Sequence, residues 1–411
     1  MGSNCMEYVP RNAESEIEKW LDDKEIILIR GPRQSGKTTL LYKIRETLLK
    51  RGINENDIVM VTFEDDLERM KFEKNPKEVI GFHQTKKTWF LFDEIQYVNN
   101  IGKILKLLYD IYPNAKFIVT GSSSFDLIEL GKYLVGRVVF VDVLPFDFLE
   151  FLRAKSPKHE KKLVELRAKI WSGKKVETAF LEEFNSFLRD YLRYGAYPRI
   201  VLEEDQSKKV QLLKTLFSNY VEKDVVARFG NKYREPAILL LKTLAASVGN
   251  PVKYETLSQQ SGVSYNEVKS MLPLLQDALV IGIIKPFYKN ISTEIRKNPK
   301  VYFLDNGFRN NLLGDFSGNI TGQALENFVY CQLISKGKIN YWRTTSGGEL
   351  DFIVGDLEIA VEVKKAGKTS KSFTNFLCKY APKKTFIVSL DELGYGETNG
   401  KKYLKIPAVY L

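Results

Sequence analysis

The chain has 411 residues, 44% of them hydrophobic, and a formal net charge of +11 at pH 7. This length predicts two or three domains, and no apolar run approaches the roughly 18 residues of a membrane-spanning helix. Three scattered cysteines and only two histidines argue against a disulfide framework or a zinc site, and the N-terminal segment MGSNCMEYVP has no apolar signal region, so we expect a cytoplasmic protein without a membrane partner.

Strand and helix patterns alternate through the first 148 residues. Short apolar runs such as EIILIRG, DIVMVTFED, TWFLFDE, KFIVTGS and RVVFVDV suit strands that are buried on both faces, and helical segments such as TTLLYKIRETLLKRG separate them. This alternation is typical of an α/β fold with a parallel sheet.

Three further regions follow the predicted sheet. Residues 149–235 show charged, leucine-spaced helical patterns, residues 236–305 show three helices and a hairpin, and residues 306–411 show a helix and short strands. Ser264 and Glu267 predict the start of the third helix in the middle region. Because Lys269 is the one basic residue of that helix, we expect it to pack between domains rather than read DNA, although both interpretations stay open.

The segment GPRQSGKTTLL matches the phosphate-binding pattern GxxxxGK[ST] and lies between a predicted strand and a predicted helix. In that context backbone N–H groups point at phosphate oxygens, Lys37 neutralises the β and γ phosphates, and Thr38 ligates Mg²⁺. The predicted nucleotide-binding residues here are Gly31, Pro32, Arg33, Gln34, Ser35, Gly36, Lys37, Thr38 and Thr39. The alternative, a glycine-rich turn with a surface lysine, is disfavoured by the flanking elements.

The motif WFLFDEIQ places Asp93 and Glu94 at the carboxyl end of a buried strand, where open α/β sheets bind ligands. Asp93 is predicted to hold Mg²⁺ through water, and Glu94 to polarise the water that attacks the γ phosphate. Thr120 and Ser122 could sense that phosphate or belong to a serine-rich turn. Arg137 could act as an arginine finger, in cis or in an oligomer, or be a surface arginine.

These motifs, with TGSSS, GRVVFVDVLPFDFLEFL and YLRYGAYPRIV, resemble prokaryotic ATPases of the AAA and STAND kind over nearly the whole chain. The resemblance implies an ATPase core (1–148), a helical lid (149–235), a winged helix (236–305) and a C-terminal domain similar to restriction endonucleases (306–411). It also implies that Pro198 contacts the adenine. Those proteins usually have two glycines in this segment, whereas here Gly195 is followed by Ala196, and an inter-helix turn is the alternative.

The segment GELDFIVGDLEIAVEVKK predicts a hairpin that turns at Gly355 and Asp356. In that register Asp351 and Glu362 are diagonal neighbours on one face and could share Mg²⁺, while Lys364 orients the attacking water. The pattern resembles the PD-(D/E)xK nucleases, and the resemblance adds Glu326 as a further metal ligand. The alternative is a charged face in which the lysine pairs with glutamates, in a domain that only binds DNA.

We therefore expect an ATPase that binds ATP and Mg²⁺ and positions a nuclease-like domain on DNA. Residues 361–411 contain ten lysines and four acidic residues, which favours DNA binding by the C-terminal third. One alternative is a nucleotide switch that does not hydrolyse ATP and whose C-terminal domain only binds nucleic acid or a protein. The length of the chain disfavours a small-molecule kinase.

Overall fold

The structure is a computed structural model that describes residues 8–81, 87–122, 130, 132–174, 180–227, 230–287, 298–344, 346–365 and 369–411. The chain divides into two compact units. The first unit contains the described residues up to Pro145 together with Pro273–Leu279, and the second contains Phe146–Leu272 and Val280–Leu411.

The first unit has a parallel α/β architecture, as predicted. Its five strands run parallel in the order β2-β3-β4-β1-β5. The strands are β1 (Ile26–Gly31), β2 (Ile58–Thr62), β3 (Thr88–Asp93), β4 (Ala115–Ser122) and β5 (Val138–Asp142). The described helices are α1 (Ala13–Trp20), α2 (Lys37–Lys50), α3 (Asp66–Lys74), α4 (Pro76–Gly81) and α5 (Ile101–Ile111).

Side chains of the central strands alternate between two apolar clusters. Leu28 and Phe90 belong to a cluster that includes Leu105 of α5, whereas Ile29 and Leu91 belong to one that includes Leu40 of α2. Because successive strand residues point to opposite faces, a strand covered on both sides must be apolar throughout. The continuous apolar runs in the sequence therefore identify all five strands.

The second unit begins with helices, the last of which ends in the segment Pro273–Leu279 that belongs to the first unit. The described α-helices before its sheet are α6 (Phe148–Lys155), α7 (Pro157–Trp171), α8 (Leu181–Tyr194), α9 (Pro198–Leu202), α10 (Gln206–Tyr220), α11 (Arg234–Ala246), α12 (Tyr254–Ser261) and α13 (Tyr265–Asp277). A π-helix, Val221–Val226, continues α10. Ser264 and Glu267 exchange hydrogen bonds at the start of α13, which confirms the predicted cap.

An eight-stranded mixed sheet follows, in the order β12-β13-β11-β10-β9-β8-β6-β7. The strands are β6 (Ile281–Pro286), β7 (Lys300–Phe303), β8 (Ile339–Arg343), β9 (Glu349–Val354), β10 (Ile359–Val363), β11 (Lys384–Ser389), β12 (Gly394–Thr398) and β13 (Lys401–Pro407). The helices are α14 (Asn306–Leu313), α15 (Gly322–Leu333) and α16 (Lys371–Lys379). The β6–β7 hairpin joins this sheet because β6 pairs with β8, so the predicted winged-helix boundary at residue 305 does not separate two sheets.

The hairpin β9–β10 has a different register from the predicted one. Ile359 pairs with Val354, so the connection has four residues and the predicted two-residue turn at Gly355 and Asp356 is wrong. Leu357 adopts a left-handed conformation and packs against the apolar cluster beneath the sheet, which favours the longer turn. The shift is an even number of residues, so side chains keep their faces and Asp351 comes directly opposite Glu362.

The segment Gly195–Ala196 packs against Asp305 within the second unit. The Asp305 carboxylate accepts N–H hydrogen bonds from Ala196 at 2.6 Å and Phe308 at 2.7 Å. Burial raises the pKa of Asp305 to about 6, although its bonds from backbone N–H groups lower it. This contact gives Gly195 a structural role, and Pro198 is the first residue of α9; its contact with adenine stays a prediction.

We predict that Gly195→Ala destabilises the protein more than Gly230→Ala does. Both glycines have positive φ and ψ near 180°, at 75° and −163° for Gly195 and 90° and 161° for Gly230, so both substitutions strain the backbone. A Cβ at Gly195 would lie 2.2 Å from Asp305 Oδ1, whereas one at Gly230 would meet nothing within 4 Å. We expect the extra clash to lower the melting temperature by at least ~4 °C beyond the control. Equal melting temperatures for the two variants would contradict the steric argument.

Candidate functional site

The loop between β1 and α2 has the geometry of a phosphate cradle. Gln34 and Gly36 both adopt left-handed backbone conformations, with φ of 62° and 97°, which turn the loop into the start of α2. A Cβ at Gly31 would lie 2.2 Å from the carbonyl oxygen of Val143, so the close approach of the two chain segments requires glycine. Successive backbone N–H groups at such a turn and helix N-terminus form an anion site.

Lys37 lies buried within this loop. Its ammonium donates hydrogen bonds to the carbonyl oxygens of Gly31 and Pro32, each at 3.0 Å. The next residues of α2, Thr38 and Thr39, are exposed. The position of Lys37 excludes the alternative of a surface lysine beside an ordinary turn.

Arg11 is a residue of this site that sequence reasoning missed. Its guanidinium donates to the carbonyl oxygens of Ser35 at 2.7 Å and Leu144 at 2.6 Å. A fork of fixed N–H donors suits two carbonyl acceptors from separate segments. Arg11 therefore holds the phosphate loop in place from outside the motif, and no spacing pattern marks it in the sequence.

Asp93 joins three elements at the carboxyl edge of the sheet. Its carboxylate accepts hydrogen bonds from the hydroxyl of Thr38, at 2.8 Å, and from the hydroxyl of Thr120. Carboxylate and hydroxyl oxygens are ligands that Mg²⁺ accepts, directly or through water. The adjacent Thr38 and Asp93 oxygens therefore fit the predicted magnesium site.

Glu94 follows β3 in a strained conformation, with φ of 57°. Its N–H donates to Thr120 Oγ1 at 3.2 Å, and its carboxylate accepts a hydrogen bond from the Gln96 side-chain amide. The Thr120 hydroxyl donates to Asp93, and its phosphate-sensing role stays a prediction.

Ser122 ends β4 beside the same group. Its backbone N–H donates to Gln96 Oε1 at 3.2 Å, and its buried hydroxyl makes no hydrogen bond to any described residue. A buried hydroxyl without a partner is available to a ligand, so Ser122 as a γ-phosphate sensor stays a prediction. Ser123 and Ser124 of the TGSSS motif lie outside the described residues.

The prediction that Arg137 acts as a finger within its own subunit is wrong. The Arg137 carbonyl accepts the N–H of Ile26 at 2.8 Å, so Arg137 lies at the start of β1 and β5, at the opposite edge of the sheet from Gly31. The length of β1 separates these edges by roughly 17 Å. The Arg137 guanidinium instead donates to Asp110 at 3.0 Å, and a role in a neighbouring subunit stays a prediction.

A buried lysine lies among the predicted metal ligands of the second unit. The ammonium of Lys300, on β7, lies 2.5 Å from Glu349 Oε1, 3.5 Å from Glu326 Oε1 and 3.9 Å from Asp351 Oδ1, and its side chain is 0% exposed. Burial alone would lower the pKa of Lys300, but the surrounding carboxylates outweigh burial and raise it. Sequence reasoning missed this residue because it precedes the nuclease-like motif by about fifty positions.

Lys364 pairs with Glu362 next to this cluster. Lys364 Nζ lies 2.7 Å from Glu362 Oε1, which also accepts the hydroxyl of Ser370 at 3.0 Å. Asp351 accepts the backbone N–H of Val363 at 2.7 Å. Burial, followed by the nearby Glu326 and Glu362, raises the pKa of Asp351 well above its usual value, and burial also raises the pKa of Glu362.

These carboxylates do not fit a metal site as they are arranged. Lys300 supplies the positive charge that Glu326 and Asp351 require, and Lys364 supplies the charge for Glu362. Within the described ranges, three or more His, Cys, Asp or Glu side chains do not group in a way that could hold a metal ion. Metal binding by Glu326, Asp351 and Glu362 stays a prediction, and the alternative of paired charges has direct geometric support.

Comparisons with protein families divide the chain into three segments. Residues 23–152 match a family described as an AAA domain, residues 185–318 match a domain of unknown function (DUF8612), and residues 321–409 match a second one (DUF4143). The match to the AAA-domain family covers most of the first unit. The two other matches describe no activity.

Two relatives resemble most of the chain. An uncharacterised protein of Haemophilus influenzae is 28% identical over 358 residues, covering 83% of this chain and 82% of its own length. An uncharacterised protein of Methanocaldococcus jannaschii is 28% identical over 403 residues, covering 92% and 84%.

Two solved structures also resemble the chain. A Walker-type ATPase of Pyrococcus abyssi has a TM-score of 0.48 at 16% identity and covers 74% of this chain and 96% of its own. The replication initiator DnaA bound to AMPPCP and single-stranded DNA has a TM-score of 0.30 at 14% identity and covers 66% and 90%. In the described part of the chain, none of the helices has the length and apolar character to span a membrane.

We predict that Lys300→Met responds more strongly to divalent metal than the wild type does. Removing the ammonium leaves Glu326, Glu349 and Asp351 without their shared cation, which costs about 3–5 kcal/mol of stability. Mn²⁺ bound by the remaining carboxylates would restore part of that loss. The measurement is a melting scan of each full-length protein, without nucleotide, with and without Mn²⁺.

The matched control for this scan is Lys116→Met. Lys116 is a buried lysine of the first unit whose ammonium donates to the carbonyl oxygens of Trp20, Asp23 and Glu25. Its loss should lower the melting temperature without adding a Mn²⁺ response, because it leaves carbonyl groups rather than carboxylates unpaired. An equal Mn²⁺-induced rise in the wild type and in Lys300→Met would contradict the prediction, because a rise that both share can come from the Thr38–Asp93 site.

Proposed function

We propose that this protein is a Mg²⁺-dependent ATPase whose first unit binds and hydrolyses ATP. The observation that carries this proposal is the junction of Thr38, Asp93 and Glu94 beside the phosphate loop. Thr38 and Asp93 are hydrogen-bonded to each other, and Glu94 follows Asp93 directly. A phosphate loop, a metal-ligand pair and a carboxylate next to it are the parts that nucleotide hydrolysis requires.

Each side chain has a distinct task in this proposal. The loop N–H groups and Lys37 bind the phosphates, and Thr38 and Asp93 hold the magnesium ion. The ion, when bound, supplies positive charge to the β and γ phosphates. Glu94 orients a water molecule and accepts its proton as the water attacks the γ phosphate. Arg11 keeps the loop in place through the Ser35 carbonyl.

We predict that Lys37→Ala abolishes tight ATP binding, whereas Glu94→Gln keeps binding and loses most turnover. Lys37 contributes a charged contact to the phosphates, so affinity should fall by roughly 10- to 100-fold. A glutamine cannot accept the proton of the attacking water, so turnover should fall by about 100-fold or more. Lys50→Ala, at the exposed end of α2, is the control. Nucleotide binding is measured by titration and hydrolysis by phosphate release.

The outcomes of this experiment separate hydrolysis from simple binding. ATP binding by the wild type without any phosphate release would support the alternative, a nucleotide switch that does not hydrolyse ATP. Equal turnover in the wild type and Glu94→Gln would remove Glu94 from the water-activating role. Failure of the wild type to bind ATP would contradict the proposal as a whole.

We further propose that the second unit binds DNA and that the nucleotide state controls this binding. Four exposed lysines lie on α16 and at the start of β13: Lys371, Lys379, Lys401 and Lys402. The turn that leads from β12 into β13 contacts α16, because the hydroxyls of Thr374 and of Thr398, the last residue of β12, lie 3.1 Å apart and Asn399 donates to Cys378 Sγ at 3.2 Å. Clustered lysines attract phosphate backbones without reading sequence.

Binding without cutting is the version that the geometry favours. Lys300 occupies the space between the carboxylates that a metal-dependent nuclease needs. The nuclease interpretation is favoured by one observation, the buried Glu362 Oε2, which has no hydrogen-bond partner among the described residues. A plasmid-nicking assay with Mg²⁺ or Mn²⁺ distinguishes the two, since only a nuclease converts supercoiled plasmid to nicked circles.

We predict that changing these four lysines to glutamine weakens DNA binding and its salt dependence. The plot of log affinity against log salt concentration has a negative slope, and each lost phosphate contact makes that slope less steep by about 0.9. Loss of four contacts should therefore reduce its magnitude by up to ~3.6. The control replaces four exposed lysines of the first unit, Lys50, Lys74, Lys77 and Lys106, and removes the same total charge. Fluorescence anisotropy with labelled duplex, in ATP and in ADP, gives the affinities. Equal weakening by both sets would show that net charge rather than this surface determines binding.

A further inference from the structure

Gln96 has both ends of its side-chain amide engaged at the candidate ATPase site. Its Nε2 donates to the Glu94 carboxylate, and its Oε1 accepts the backbone N–H of Ser122 at 3.2 Å. Gln96 belongs to a short 3₁₀ turn, Ile95–Tyr97, that follows Glu94 directly. The side chain therefore connects the carboxylate after β3 to the carboxyl end of β4.

The left-handed backbone conformation of Glu94 allows this contact to form. Glu94 has φ of 57° and ψ of 45°, a left-handed conformation that costs a non-glycine residue about 1–3 kcal/mol. Two hydrogen bonds hold it: its N–H donates to Thr120 Oγ1 at 3.2 Å, and its carbonyl accepts the N–H of Tyr97 at 3.2 Å. The strained turn brings residues 94 and 96 to the same side, so the amide reaches the carboxylate.

A continuous path of hydrogen bonds results. It runs from the Thr38 hydroxyl to Asp93, from Asp93 to the Thr120 hydroxyl, and from Thr120 to the backbone of Glu94. Gln96 closes the path from the Glu94 carboxylate to the Ser122 backbone. A free glutamate side chain samples many rotamers, and holding it in one orientation removes an entropic cost from the reaction.

We infer that Gln96 is a positioning residue that holds the Glu94 carboxylate in the orientation used to activate water. It does not contact the reacting atoms in this role; it acts through Glu94. The inference rests on the proposed ATPase function and extends it to a residue outside the phosphate loop and the acidic pair. An amide suits the task because its N–H₂ group stabilises a carboxylate at every pH near neutrality and cannot itself take up the proton.

The test compares ATP hydrolysis by the wild type with that of Gln96→Met and Gln96→Glu. Methionine keeps the length of the side chain and removes both hydrogen bonds. We expect kcat to fall by roughly 10-fold while KM for ATP changes by less than ~2-fold, because orientation of Glu94 matters in the transition state rather than in nucleotide binding. Gln260→Met, at an exposed position of the second unit, is the control.

Gln96→Glu tests the same role through a split between kcat and KM that a merely structural role would not produce. Its carboxylate cannot donate a hydrogen bond to the Glu94 carboxylate and repels it, so the orientation of Glu94 is lost. We expect kcat to fall at least as far as in Gln96→Met, by roughly 10-fold, with KM for ATP again within ~2-fold of the wild type. This variant is close in size to glutamine, so it tests the inference even if Gln96→Met loses its fold.

The results distinguish the inference from the function on which it rests. Absence of phosphate release by the wild type would defeat the ATPase proposal itself. A wild type that hydrolyses ATP, together with a folded Gln96→Met or Gln96→Glu whose kcat equals that of the wild type, would overturn only the role of Gln96.

Discussion

The hydrogen bonds that converge on Asp93 hold the candidate ATPase site together. Asp93 ends β3, Thr38 lies in the first turn of α2, and Thr120 lies near the end of β4, so one carboxylate joins three elements. The parallel sheet makes this possible, because the carboxyl ends of its strands meet at one edge. Both donors are neutral hydroxyls, and they orient the carboxylate without cancelling its charge.

Much of the first unit could be predicted from sequence because its signals are local. The buried strands appear as apolar runs, and the functional residues follow those runs at fixed short spacings. Arg11 and the finger prediction for Arg137 show where this reasoning fails. Arg11 reaches the phosphate loop from a separate segment of the chain, which no local pattern indicates. Arg137 lies at the start of β5, and because β5 runs parallel to β1, the start of β5 is at the edge of the sheet opposite the phosphate loop.

The second unit was harder to predict because its charges are paired across distant segments. The alternation of the hairpin correctly placed Asp351, Glu362 and Lys364 on one face, since a shift by two residues preserves faces. The turn length depended on where Leu357 could pack, and local turn preferences do not contain that information. Strands β12 and β13 were also missed, since β12 has no buried residue and the buried residues of β13 are interrupted by exposed and partly buried ones, so neither shows an apolar run.

The carboxylates of the two units have opposite kinds of hydrogen-bond and charge partner, and this difference bears on what each unit can bind. Asp93 receives hydrogen bonds from neutral hydroxyls, so a divalent cation can still gain from its negative charge. Glu326, Glu349 and Asp351 surround the ammonium of Lys300 instead. A metal ion could enter that cluster only by displacing a buried lysine, which would lose all three partners and have to leave the interior or give up its proton. The Asp93 carboxylate thus keeps its charge for a cation, whereas the carboxylates around Lys300 are already paired, which is why our proposal places chemistry in the first unit and binding in the second.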